Sequence, residues 1–171
     1  GTFLNMAELV VLGFGSNKGS RLRNINFALK TLALNKELNL LKVSQIYETE
    51  PWGFKKQNSF YNCAAVFLCR LTPAELLETA KRTEKKAGRT KNPKWQAREL
   101  DIDILFYGNC VIRKQLIKIP HPYIECRNFV LKPLVDIIPG YMHPVLKKDI
   151  FSLYKSSKDN CKVKEINSVD K

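Results

Sequence analysis

Asp101 and Asp103 stand two residues apart in the stretch ELDIDILFY, residues 99–107. If this stretch is a strand, side chains two apart project from the same face, with Cα atoms about 6.5–7 Å apart. Two carboxylates so placed can hold hard cations, and Mg²⁺ is commonly bound by one or two carboxylates together with substrate phosphates. By spacing alone the pair also suits a merely solvated strand face. The preceding segment favours the metal reading: Lys81, Arg82, Lys85, Lys86, Arg89, Lys91, Lys94 and Arg98 stand there against one acid, Glu84. Carboxylates beside focused positive charge form the donor set that polyphosphate chemistry needs. Arg89 and Arg98 stand out, because a planar guanidinium gives bidentate hydrogen bonds to phosphate and stays charged.

Other candidates are less specific. Trp95 sits in the polar loop TKNPKWQA, either as part of a lid over a flat ligand or folded back onto the core. His121 and Arg127 flank the turn HPYIEC, where His121 could donate to a phosphate or cap its own loop; His143 favours a structural role more strongly. Gly13-Phe14-Gly15-Ser16-Asn17 has its third glycine at Gly19, one residue late for GxGxxG, and no GxxxxGK[ST] occurs. Neither a dinucleotide fold nor a P-loop is indicated.

The elements that must position these groups follow from periodicity. Residues 8–13 form a short apolar run and predict a buried strand, with a loop from Gly13. Leu22, Ile25, Leu29 and Leu32 recur at helical spacing and predict a helix over 21–35. Residues 38–48 and 60–70 read as two strands around a loop marked by Pro51 and Gly53. Thr72-Pro73-Ala74-Glu75 is a capping box with proline at the first helical position, opening a helix that should end near Gly88. In 99–107, Leu100, Ile102, Ile104 and Phe106 alternate with Asp101, Asp103 and Leu105, which predicts a half-buried strand. A weak strand pair around Val111 and Lys118 and a helix over 128–137 follow. The order strand, helix, strand, strand, helix, strand is that of an α+β, ferredoxin-like sandwich, a mostly antiparallel sheet with helices packed on one face.

With 171 residues, one domain over 6–155 is expected. Residues 1–5 read as a cloning remnant, and the polar tail from Lys155 is expected to fray. Five cysteines without a C-x-x-C pair argue against a disulfide framework or a structural zinc site. No apolar run is long enough to span a membrane, so a cytoplasmic protein is expected. Lys and Arg number 29 against 16 acids, a net charge of +13 that would attract polyanions.

Taken in order, GFGSN, TEPWG, FYN, Glu84 with Gly88-Arg89, KWQARELDIDIL and HPYIECRNF resemble the 6-hydroxymethyl-7,8-dihydropterin pyrophosphokinase family of folate biosynthesis, from about Leu9 to Pro139. The resemblance implies transfer of a pyrophosphoryl group from ATP to the pterin hydroxymethyl oxygen, leaving AMP. It implies that Asp101 and Asp103 hold two Mg²⁺ ions and that Arg89 and Arg98 neutralise the triphosphate. Glu84, Lys91, Ile104, His121 and Arg127 would line the ATP site. Thr49, Trp52, Asn62, Trp95, Asp101 and Phe129 would form the pterin pocket, with Asn62 on the ring edge, Phe129 stacked and Trp95 in the lid. Gln96 and Ala97 depart from the family pattern in that lid, and Glu50 departs from it in the pterin loop. A monomer passing its product to dihydropteroate synthase would follow.

Two other classes fit the charge and fold. An RNA-binding module of this fold would need an RNP1 pattern of aromatics, whereas ELDIDIL places acids where bases would stack. A regulatory domain would bind nucleotide without turnover.

Overall fold

The computed structural model describes residues 6–50, 58–88 and 99–166. In chain order the elements are β1 (Glu8–Ser16), α1 (Arg21–Ala33), β2 (Leu38–Val43), β3 (Tyr47–Thr49), β4 (Phe60–Cys69), α2 (Pro73–Lys86) and β5 (Asp101–Tyr107). They continue as β6 (Ile112–Arg113), β7 (Lys118–Ile119), a 3-10 turn at Ile124–Cys126, α3 (Asn128–Ile137), α4 (Ile150–Ser156) and β8 (Val163–Glu165). The main sheet runs β5-β1-β4-β3-β8, with β2 also paired to β4, and each of these pairings is antiparallel. This is the expected α+β, ferredoxin-like arrangement.

Period-two alternation sorts the sheet onto two cores. Val10, Leu12, Phe14, Cys63, Ala65, Phe67, Ile102 and Ile104 pack on one side with Ile25, Ala28 and Leu32 of α1 and Leu76 and Ala80 of α2. Val11, Ala64, Val66, Leu105 and Phe106 pack on the other with Leu131, Leu134 and Ile137 of α3 and Ile150 and Leu153 of α4. Helices therefore cover both faces, not one as expected, because the strand residues of both phases are apolar along part of their length. The capping box forms as read: Thr72 Oγ1 accepts from Glu75 N at 3.2 Å, and Thr72 N donates to Glu75 Oε1 at 3.0 Å.

Several expectations need correction. β1 does not stop at Gly13 but runs to Ser16, because Phe14 and Gly15 pair with β4 on one edge and β5 on the other. The expected strand 38–48 breaks at Ser44, whose Oγ takes the Ala64 N–H at 2.9 Å while its own N–H donates to Ala64 O. In β5 the register slips, Val11 facing Phe106 and Leu12 facing Ile104. Leu105 is thus the extra residue of a bulge, and Phe106 joins the second core instead of sharing a face with Ile102 and Ile104. The tail from Lys155 is not simply frayed, since it completes α4 and then adds β8 to the sheet edge beside β3.

Candidate active site

The second core stops short of one end of the sheet. There, on the same face as Val11 and Val66, the adjoining strands β4, β1 and β5 carry Gly13, Gly15, Asn62, Asp101 and Asp103, which line a cleft of about 620 Å³. The register sets two rows across it. Asn62, Gly15 and Asp101 lie abreast, and Ala64, Gly13 and Asp103 lie abreast in the next row. The glycines leave the floor flat between a side-chain amide and a carboxylate. A Cβ at Gly15 would stand 3.0 Å from Asn62 Oδ1, and one at Gly13 would stand 3.2 Å from Leu105 Cδ1.

Asn62 is held from one side. Its Nδ2 donates to Thr49 Oγ1 at 2.8 Å, and both residues are buried. Phe60, Phe129 and Tyr123 add aromatic lining. Asp101 is half-buried, while the Asp103 side chain is 54% exposed and faces His121, whose Nε2 lies 3.8 Å from Asp103 Oδ1. His121 is itself positioned twice. Its main-chain N–H donates to Leu105 O at 3.0 Å, so the bulge residue anchors the loop, and Nδ1 donates to Pro122 O at 2.9 Å. A carbonyl can only accept, so in the neutral ring the proton sits on Nδ1 and the Nε2 lone pair is left towards Asp103. Arg127 completes this side, its guanidinium carbon 5.6 Å from the Tyr123 ring centre and 5.9 Å from that of Phe129.

The structure thus brings together Thr49, Asn62, Asp101, Asp103, His121, Arg127 and Phe129. Arg89, Lys91, Trp95, Gln96, Ala97 and Arg98, together with Trp52, lie outside the described residues. Glu84 and Ile104 are not part of the cleft lining. Ile104 packs in the first core, and Glu84, buried at the end of α2, accepts the Ile102 N–H at 2.9 Å through Oε2. Glu84 therefore braces the start of β5 from beneath, between the two aspartates. His143 is structural, as expected: it is buried, and its Nδ1 accepts from Val145 N and Leu146 N.

Residues of the cleft that sequence reasoning passed over include Gly13, Gly15, Phe60 and Tyr123. In the sequence the glycines stand in a loop signal and in the GFGSN block without a site role, and the signal that places them in the cleft is their phase, alternating with buried Leu12 and Phe14. Glu50, the departure in the pterin loop, does line the cleft. Cys63 and Cys126 lie there too, but burial pushes the Cys63 thiol up to about 12, and desolvation followed by the charge of Glu125 raises that of Cys126. Thiolate chemistry is thereby disfavoured.

The donor set suits a hard divalent cation. Asp101 and Asp103 offer oxygen, and among the described residues no cluster of three His, Cys, Asp or Glu forms a complete cage. Remaining positions would belong to water and to a substrate's own oxygens, which is the way Mg²⁺ is usually held at phosphates.

The family model for 7,8-dihydro-6-hydroxymethylpterin-pyrophosphokinase matches residues 11–139. A 2-amino-4-hydroxy-6-hydroxymethyldihydropteridine pyrophosphokinase of Aquifex aeolicus is 43% identical over 142 residues, covering 82% of this chain and 87% of that protein. The folic acid synthesis protein FOL1 of Dictyostelium discoideum is 39% identical over 139 residues, 81% of this chain but only 21% of that much longer protein. Among solved structures, wild-type Plasmodium falciparum HPPK-DHPS with pteroate superposes with a TM-score of 0.70 over 87% of this chain and 42% of that one. At 19% identity this last likeness bears on the fold alone.

Proposed function

The chain belongs to the 7,8-dihydro-6-hydroxymethylpterin-pyrophosphokinase family, and we propose that the cleft at the open end of its sheet is where that transfer takes place. As a member it is an ATP-dependent transferase of folate biosynthesis that moves a pyrophosphoryl group onto hydroxymethyldihydropterin. The hydroxymethyl oxygen bonds to the β-phosphorus of ATP, the bond from that phosphorus to the α-phosphate oxygen breaks, AMP leaves and the hydroxyl proton is released.

The observation that carries the site is the row Asn62, Gly15, Asp101 lying beside Asp103 and His121. Strands about 4.8 Å apart put Asn62 and Asp101 about 10 Å from each other, with only a glycine between. That gap suits a flat bicyclic ring lying on Gly15. The Asn62 amide, oriented by Thr49, recognises one edge of the ring, and Phe129 stacks on its surface. Asp101 faces the opposite edge, where it can accept a hydrogen bond from the reacting hydroxyl. The phosphates then run over the second row, towards Asp103, His121 and Arg127.

Mg²⁺ held by Asp101 and Asp103 would neutralise phosphate charge and polarise the phosphorus under attack. The chain's own groups do the positioning. Glu84 fixes the strand that carries both aspartates, the Pro122 carbonyl fixes the His121 ring, and Arg127 supplies a bidentate donor to a phosphate. By resemblance, Arg89 and Arg98 neutralise the triphosphate, Lys91 lines the nucleotide site, Trp52 belongs to the pterin pocket and Trp95 to the lid that closes over the site. Binding and electrostatics are most of what phosphoryl transfer asks of a protein. Hand-off of product to dihydropteroate synthase, action as a monomer and residence in the cytoplasm complete the proposal; none of the helices among the described residues is long and apolar enough to cross a membrane.

The test is to incubate the protein with ATP, Mg²⁺ and 6-hydroxymethyl-7,8-dihydropterin and to separate the nucleotides by chromatography. AMP that forms only when pterin is present is the expected result. ADP, or no turnover by folded protein, would overturn the reading.

A further inference from the structure

α3 starts without a cap of its own. Arg127 at the N-cap makes no side-chain cap hydrogen bond, and the first turn contains no acid. Its cap comes from 31 residues further along, where Asp159 Oδ2 accepts the Asn128 N–H at 2.8 Å and Asp159 O accepts from Asn128 Nδ2 at 3.1 Å. The carboxylate is aimed by its own surroundings, since Oδ1 accepts from Cys161 N at 2.9 Å and Asp159 N donates to Ser157 Oγ at 3.2 Å. A negative charge on exposed N–H groups at a helix N-terminus is the favourable orientation for the helix dipole.

The same segment then reaches the opposite wall of the cleft. β8 pairs with β3 so that Val163 lies opposite Thr49, the residue that orients the Asn62 amide, and Ile166 N donates to Ile46 O at 3.0 Å. One stretch, 159–166, is thus tied both to the helix start that carries Phe129 and to the strand that carries Thr49.

We propose that Asp159 is a positioning residue for pterin: it fixes the first turn of α3, and with it Phe129, while the strand that follows it fixes Thr49. The segment 159–166 is a strap across the pterin end of the cleft, with no contact of its own to the reacting groups. This rests on the assignment of Thr49, Asn62 and Phe129 to the pterin pocket.

The test is steady-state kinetics of the full chain, with each substrate varied in turn. Asp159→Ala should raise the pterin KM about fivefold to tenfold, as the loss of one helix cap would, with a smaller rise in the ATP KM, because the same helix start carries Arg127. Asp159→Glu, which keeps both oxygens, should recover most of the loss. Thr72→Ala removes a cap of similar worth from α2, away from the cleft, and should leave the pterin KM unchanged. An unchanged pterin KM in Asp159→Ala, equal rises for both substrates, or the same rise in Thr72→Ala would each overturn the proposal. Should Asp159→Ala not fold, Asp159→Asn decides on the same readout, since it keeps one acceptor oxygen: a smaller rise supports the strap and none overturns it. Phe129→Ala separates the two failures, because an unchanged pterin KM there means that the pocket assignment has failed, not the strap alone.

Discussion

On the α1/α2 side of the sheet, Val10, Leu12, Phe14, Cys63, Phe67, Ile102 and Ile104 pack without a polar interruption. On the other side the same three strands begin alike, with Val11, Val66 and Phe106 under α3 and α4, and then change to Gly13, Gly15, Asn62, Asp101 and Asp103. The alternation never breaks at this end; only the residue types in one phase change. A single sheet can therefore offer one face to stability and part of the other to chemistry, because side chains of opposite phase do not share neighbours. The rigid floor under the reacting groups is the back of the first core.

If this division holds, substitutions in the two phases should affect different observables. The largest effect is expected at Asp103→Ala. That side chain is 54% exposed, so the melting temperature should stay within about 2 °C of the parent, while kcat falls about 10³-fold or more with loss of metal and phosphate stabilisation. A melting shift of equal importance would break the comparison. The mirror case is Phe67→Ala, fully buried on the opposite face: denaturant unfolding should show a loss of about 3–5 kcal/mol, with both KM values unchanged wherever the protein remains folded.

Gly15→Ala sharpens the division within the cleft. Its Cβ would meet Asn62 Oδ1 at 3.0 Å, so the amide must shift by a few tenths of an ångström from the place where Thr49 holds it, and the pterin KM should rise about tenfold, equivalent to about 1.4 kcal/mol, with little change in unfolding. The smallest effect belongs to Thr72→Ala, about 1 kcal/mol of stability and none in catalysis. It also carries a pH signature. Glu75 is held below its ordinary 4.5, first by the hydrogen bond from the Thr72 backbone N–H and then by the Thr72 side chain. A depressed folded value means that this stabilisation is complete above pH 4.5 and is lost as pH falls through the folded value. The gap in melting temperature between Thr72→Ala and the parent should therefore narrow in acid.

What could be read from the sequence was what local rules determine. Thr72 and Glu75 name their own helix start, the alternation of Ile102 and Ile104 with Asp101 and Asp103 names a strand and its accessible phase, and α3 falls on 128–137 as its pattern predicts. What could not be read depends on partners distant in the chain. Gly13 to Ser16 look like a loop because glycine weakens a lone strand, yet two flanking ladders keep them extended. Ser44 breaks a strand only because Ala64 stands opposite it. The Leu105 bulge is invisible without the register to β1, although it decides where Phe106 packs and where His121 is anchored. Asp159 and Val163 read as a polar tail because nothing near them in sequence shows that Asn128 and Thr49 are their partners.

The most direct measurement of the central claim is a crystal structure of the protein with 6-hydroxymethyl-7,8-dihydropterin, Mg²⁺ and a non-hydrolysable ATP analogue. The account predicts the pterin ring flat over Gly15 with its edges at Asn62 and Asp101, the metal on Asp101 and Asp103, and the phosphates towards His121 and Arg127. A ring bound elsewhere, or a triphosphate that leaves Asp103 and His121 untouched, would contradict it.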